Sequence, residues 1–104
     1  MLVLGLDPSL TQFGWALHDD TLEGADRCPA RGRFKTPSKM LFIDRYCYMR
    51  DSLRELIQTH QPDAIGIEYP VFNDLWSEGM YGLFLYSCEA LRDEGADVVF
   101  FSPM

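Results

Sequence analysis

Two acidic residues each follow directly on a short apolar run. Asp7 comes after residues 2–6 (LVLGL), and Glu68 comes after residues 64–67 (AIGI). Short apolar runs predict buried strands, and neighbouring parallel strands would bring both acids to the same edge of a sheet. Two carboxylates held close together are stable only when a proton, hydrogen bonds or a cation neutralise them. The pair therefore indicates a divalent metal site, and its oxygen ligands favour Mg²⁺ or Mn²⁺.

A purely structural interpretation of the two acids stays open from spacing alone. Asp7 can cap its own turn beside Pro8, and Glu68 can simply solvate the end of a strand. The three cysteines show no CxxC spacing, which argues against a zinc site or a disulfide framework and predicts small core residues. No Ser/His/Asp or Cys/His arrangement points to a covalent nucleophile.

The element that positions Asp7 is predicted to be an antiparallel hairpin. Residues 2–6 form its first strand, Pro8 starts a turn, and residues 13–18 (FGWALH) form the second strand. Residues 27–36 are predicted to be a third, edge strand. The longer stretch of residues 27–39 contains no acid and holds five of the nine basic residues: Arg27, Arg31, Arg33, Lys35 and Lys39.

Two helices and two further strands are predicted after the hairpin. Ser38 can cap a helix that runs to about His60, where Gln61 and Pro62 stop it. A strand at residues 64–67 leads to Glu68, and a second helix runs from Asn73 or Asp74 to about Arg92. A last strand covers residues 98–101. The order βββαβαβ predicts an α/β fold with a mixed sheet.

Composition fits one globular domain. The chain has 104 residues, 47% of them hydrophobic, and lacks the ~20 consecutive apolar residues of a membrane span. No signal peptide pattern opens it, so we expect a cytoplasmic protein. A net charge of −7 disfavours DNA binding, but the acid-free basic stretch offsets this. Its residues Arg31, Arg33, Lys35 and Lys39 are either DNA contacts or a solvated edge strand.

Two segments resemble the RuvC-like Holliday junction resolvases, which have the RNase H-like fold. Residues 4–17 (LGLDPSLTQFGWAL) are similar to their opening hairpin, and residues 62–72 (PDAIGIEYPVF) to their fourth strand. The resemblance implies that Asp7 and Glu68 are catalytic acids holding two Mg²⁺ or Mn²⁺ ions. It also implies paired symmetric incision of four-way DNA junctions in a bacterial or phage-infected cell. Ser9, Trp15 and Tyr69–Pro70 depart from the family pattern.

The resemblance carries further expectations about the whole protein. Family members bear their remaining acids on a helix after the fifth strand, so residues 1–104 are expected to be one nuclease domain lacking that helix. Tyr69 and Phe72 are rival candidates for stacking on DNA bases, and the alternative is that both simply cover the core below the sheet edge. The second helix is apolar nearly all round and is expected to form a homodimer, with Gly79 and Gly82 allowing close approach. The alternative is a monomer in which the expected last helix covers this face. The predicted interface residues are Trp76, Met80, Leu83 and Phe84.

Two other functions fit the same pattern of elements. An actin-like or sugar-kinase type ATPase also opens with a hairpin that presents an acid, although such proteins need a second comparable domain. A DNA-binding module could keep the fold without cutting. Retention of both Asp7 and Glu68 argues against such a module, and the lack of further acids argues for it.

Overall fold

The computed structural model describes residues 1–68 and 78–101. Its helices and strands follow the predicted order βββαβαβ, which confirms the fold class. A short 3-10 helix, Gly24–Arg27, precedes the third strand. The elements are β1 (Leu2–Asp7), β2 (Gln12–Asp19), β3 (Arg31–Lys35), α1 (Phe42–His60), β4 (Ala64–Glu68), α2 (Glu78–Asp93) and β5 (Val98–Phe101).

The five strands form one mixed sheet in the order β3-β2-β1-β4-β5. Short connections make the pairs β1–β2 and β2–β3 antiparallel, whereas the helical crossovers make β1–β4 and β4–β5 parallel. β1 is therefore central, with β2 on one side and β4 on the other. The first and fourth strands end at the same edge of the sheet, as the sequence predicts.

Both helices pack on one face of the sheet and enclose the core. Alternate strand residues point to that face, as the two-residue period of a strand requires. The strands contribute Leu4, Leu6, Phe13, Leu17, Ile65 and Ile67, α1 contributes Met49, Leu53, Leu56 and Ile57, and α2 contributes Leu83, Ala90 and Leu91. We call the opposite side the open face, because no helix of the described segments covers it.

The beginning of α1 differs from the prediction. The helix starts at Phe42, with Leu41 at the capping position and no side-chain cap. Ser38 cannot cap it, because Ser38 lies in a separate turn that the Met40 N–H closes on the Pro37 carbonyl at 3.1 Å. This turn holds the chain in a loop for several residues more than the helical periodicity indicated.

The ends of both helices agree with the stop signals in the sequence. Gln61 adopts a left-handed conformation with φ 47°, and its N–H donates to the Ile57 carbonyl at 2.8 Å. Pro62 then prevents further helix. Gly95 ends α2 with φ 65°, a conformation that glycine adopts without strain, and its N–H donates to the Arg92 carbonyl at 3.0 Å.

The third strand and one cysteine also depart from expectation. β3 covers Arg31–Lys35 rather than residues 27–36: the 3-10 helix includes Arg27, and residues 28–30 and Thr36 belong to neither element. Cys28 is exposed and not a core residue, whereas Cys47 and Cys88 are partly buried. Neither of the two described helices is long and apolar enough to cross a membrane.

Two glycines bring α2 close to its neighbours inside the domain, which corrects their predicted role between subunits. A Cβ added at Gly82 would lie 2.6 Å from the ring of Tyr46 on α1. A Cβ at Gly79 would lie 2.6 Å from Leu10 and 3.2 Å from Phe42. The small residues thus let α2 pack against α1 and against the β1–β2 turn.

Candidate metal and nucleic-acid site

Asp7 and Glu68 are backbone neighbours at one edge of the sheet. The parallel register pairs Leu4 with Ile65 and Leu6 with Ile67, so the next position brings Asp7 beside Glu68. Neighbouring strands lie about 4.8 Å apart. Glu68 is described by its backbone, and the spatial convergence predicted from the sequence is therefore present at that level. The catalytic roles of both residues stay predictions.

The carboxylate of Asp7 is exposed and makes no hydrogen bond or ion pair with any residue of the described segments. Gly14 lies directly opposite on β2, and even a Cβ there would stay 3.6 Å from the Asp7 Cβ. An unpaired carboxylate with free space around it is a suitable ligand for Mg²⁺. No group of three His, Cys, Asp or Glu side chains lies together among the side chains that the structure describes.

The turn after Asp7 is held by other residues, so Asp7 does not cap it. The Ser9 hydroxyl accepts the N–H groups of Thr11 and Gln12, each at 3.4 Å. Thr36, just after β3, donates its hydroxyl to the Leu10 carbonyl at 2.7 Å and its N–H to the Thr11 carbonyl at 3.2 Å. These bonds fix the turn and leave the Asp7 carboxylate available.

Three basic side chains of β3 lie on the same face of the sheet as Asp7. Arg31, Arg33 and Lys35 alternate with Gly32 and Phe34, which face the helical side. Arg33 pairs with Gly14, and Gly14 pairs with Asp7, so Arg33 stands two strand spacings, about 10 Å, from Asp7 in one row.

Small residues between the basic strand and Asp7 leave a hollow in the open face. A cavity of about 740 Å³ lies there, and its lining includes Gly5, Gly14 and Ala16 together with Asp7 and the two arginines of β3. The Arg33 guanidinium donates to the Gln12 side-chain oxygen at 2.9 Å, which fixes it beside this cavity. The arrangement places two arginine side chains and the Asp7 carboxylate around one concave surface.

Sequence comparison finds RuvC proteins. The chain is 34% identical over 71 residues to a protein of Agrobacterium fabrum named crossover junction endodeoxyribonuclease RuvC, a match that covers 68% of this chain and 41% of that protein. It is 36% identical over 75 residues to the protein of the same name from Sphingopyxis alaskensis, covering 71% of this chain and 47% of that protein. The sequence matches no family model.

The fold agrees with the sequence comparison. Thermus thermophilus RuvC, solved in complex with a Holliday junction substrate, superimposes on the whole chain with a TM-score of 0.84, 19% identity and 66% of that chain covered. The chain is RuvC-like. It spans less than half the length of the two sequence relatives. That this RuvC-like chain lacks a last catalytic helix stays a prediction.

The structure corrects part of the predicted dimer surface of the RuvC-like chain. Leu83 is 0% exposed and belongs to the core, so its side chain cannot reach a partner. Met80 and Phe84 are only partly buried and pack against the same core. Leu85, which the prediction omitted, is 66% exposed and points away from the domain. Trp76 lies outside the described residues.

Of the other residues predicted to contact DNA, one lies within the described residues and two lie outside them. Lys39 is exposed in the loop before α1. Tyr69 and Phe72 lie outside the described residues. Sequence reasoning missed Gln12 and Thr36, which hold the basic strand and the turn after Asp7. Their sequence positions do not reveal these hydrogen bonds, because both bonds join segments that only the folded sheet brings together.

Proposed function

We propose that the complete protein is a metal-dependent endonuclease that resolves four-way DNA junctions by paired symmetric incisions. The observation that carries the proposal is the Asp7 carboxylate, which has no partner within the described segments, beside the backbone of Glu68 at the edge of a sheet whose open face carries Arg31 and Arg33. The names of the sequence relatives support the same activity. The cytoplasmic location stays a prediction.

Asp7 and Glu68 would hold Mg²⁺ or Mn²⁺, with further acids expected beyond Met104 from the resemblance. When bound, two such ions supply an activated water and stabilise the charge on the departing oxygen. The chain's own contribution is position, because Ser9 and Thr36 fix the turn that follows Asp7. Because the backbone of this turn is already ordered, less freedom is lost when the Asp7 carboxylate becomes a ligand.

The basic side chains of β3 would bind the DNA backbone. Alternate residues of a strand are about 7 Å apart, so a regular row of charges runs along β3, the outermost strand: Arg31, Arg33 and Lys35. Guanidinium groups bind phosphate oxygens in pairs, and each neutralised phosphate releases counterions. Tyr69 and Phe72 would stack on bases near the junction centre.

A homodimer is part of the proposal, because paired incisions in opposite strands require two linked active sites. The second helix is the proposed contact. Its outward side carries Leu85, whereas Leu83 serves the core. An exposed leucine on this side of the helix is available to a partner, and its burial there would be favourable.

The proposal is tested by Asp7→Asn in the complete protein, because this change removes the negative charge and keeps the shape. We expect loss of Mg²⁺-dependent junction cleavage by more than 100-fold and unchanged junction binding in EDTA. Asp26→Asn is the matched control, since Asp26 is exposed in the 3-10 helix away from the edge. Cleavage by the Asp7 variant within tenfold of wild type, a barrier change of only ~1.4 kcal/mol, would remove Asp7 from the mechanism.

A further inference from the structure

The loop between β3 and α1 is held at both ends and in its middle. Thr36 ties its beginning to the turn after Asp7 through the two hydrogen bonds described above. The Met40 N–H closes the four-residue turn that starts at Pro37. Lys39 occupies the third position of that turn, and its side chain is exposed.

A buried arginine holds the same loop from below. Arg45 is only 6% exposed, and its guanidinium donates to three loop carbonyls: Nε to Met40 at 3.0 Å, and Nη2 to Pro37 at 3.1 Å and to Ser38 at 2.8 Å. The ring of Phe42 lies 5.8 Å from the guanidinium carbon. The bonds bracket Lys39, since they engage the residues immediately before and after it.

The buried charge of Arg45 has an unusual set of partners. No acidic side chain forms an ion pair with it in the described part of the chain. Burying a charge without a counterion is costly unless hydrogen bonds compensate, and here three backbone carbonyls supply them. The planar guanidinium of Arg45 binds several carbonyls at once and thereby fixes the shape of the loop.

We propose that Arg45 is a positioning residue for DNA binding, which acts by holding Lys39 against a phosphate of the substrate. The inference rests on the proposed function. Lys35 ends β3 at the edge of the sheet where Asp7 ends β1, because β3 runs in the same direction as β1, and Lys39 follows in the loop that leaves this edge. A phosphate bound at Lys39 would therefore lie at the same end of the sheet as the proposed metal site.

The preorganised loop explains how a flexible side chain can contribute to a defined contact. A lysine has four rotatable stem bonds and loses much of its freedom on binding. If the backbone of its turn also moved, the cost of ordering would be larger. The Arg45 hydrogen bonds remove the backbone part of that cost before DNA arrives.

The test is a double-mutant cycle measured as four-way junction affinity in EDTA, using the complete protein and synthetic oligonucleotides. Lys39→Ala should weaken binding about eightfold at about 0.1 M salt and lower the salt slope by about 0.9, as expected for one lost phosphate contact. Arg45→Gln should weaken binding several-fold in the wild-type background. In the Lys39→Ala background it should change the affinity by less than about twofold.

Arg54→Gln is the matched control, because Arg54 also lies on α1 but pairs with Glu89 and Asp93 of α2. Its effect on affinity should be the same with and without Lys39. Where Arg45→Gln melts below the assay temperature, Arg45→Lys replaces it, since lysine keeps the charge and loses the fork. Equal effects of the Arg45 change in both backgrounds, or no effect of Lys39→Ala, would overturn the inference.

The proposed function can fail separately. Normal coupling between the two residues together with cleavage that is insensitive to Asp7→Asn would refute the proposed metal site and support the positioning role. Absence of DNA binding by the wild type would refute both.

Discussion

Leu83 and Leu85 lie two positions apart on α2 and should respond in opposite ways to substitution. Leu83 is 0% exposed and packs in the core, whereas Leu85 is 66% exposed. Removing a buried leucine side chain costs about 2 to 5 kcal/mol, because transfer free energy is lost and a cavity is left. Removing an exposed one changes the free energy of unfolding by less than about 0.5 kcal/mol.

The expected shifts are large enough to measure by thermal unfolding. For a domain of about this size each 1 kcal/mol lowers Tm by about 4–8 °C, so Leu83→Ala should lower it by about 10 °C or more. Leu85→Ala should leave Tm nearly unchanged. An unchanged Tm for Leu83→Ala would show that the core is not packed as described.

The same pair separates folding from association. Leu85→Asp in the complete protein should leave each subunit folded, because Leu85 lies outside the core. It should halve the mass seen by light scattering, because the dimer would have to bury a charge on the outward side of α2. Leu83→Asp would unfold the domain and say nothing about the dimer. A full dimer mass for Leu85→Asp would place the interface elsewhere.

Two further predictions concern the contact between the helices. Gly82→Ala should lower the free energy of unfolding by about 1 kcal/mol in urea denaturation, because overpacking against Tyr46 costs more than the helix propensity gained; a more stable variant would show that the ring yields freely. Arg54 hydrogen-bonds to Asp93 and holds the pKa of that carboxyl below its usual value. The stabilisation from the Arg54–Asp93 interaction is full above about pH 4 and is lost as the pH falls through the folded pKa of Asp93. Wild type should therefore lose more stability than Asp93→Asn between about pH 5 and pH 2.

Local patterns predicted the elements well because each depends on nearby residues. The apolar runs that predict β1 and β4 are the strands themselves, and each leads directly to an acid, Asp7 or Glu68. The helix stop signals at Pro62 and Gly95 lie within two positions of the helix ends. Helix crossovers then require parallel neighbours, which brings the two acids to one edge. This part of the site follows from periodicity and chain direction alone.

Features that depend on tertiary contact could not be predicted. Ser38 has the right chemistry for a cap, but the Arg45 hydrogen bonds and the turn at Pro37 hold it outside the helix. The assignment of Leu83 to a surface was wrong because a helix apolar on several sides does not reveal which side meets the sheet. Gly82 likewise serves contact within the domain and not between subunits.

The pairing of β1 with β4 has a consequence for the order of folding. The hairpins β1–β2 and β2–β3 join segments close in sequence, whereas β1 and β4 are separated by most of the chain and by the whole of α1. Closing a longer loop costs more entropy, and contacts distant in sequence form more slowly. The two acids consequently become neighbours only in a late step. During synthesis, a chain that has emerged as far as α1 carries Asp7 on a hairpin without Glu68 beside it, so the proposed metal site can form only once β4 has emerged and paired with β1.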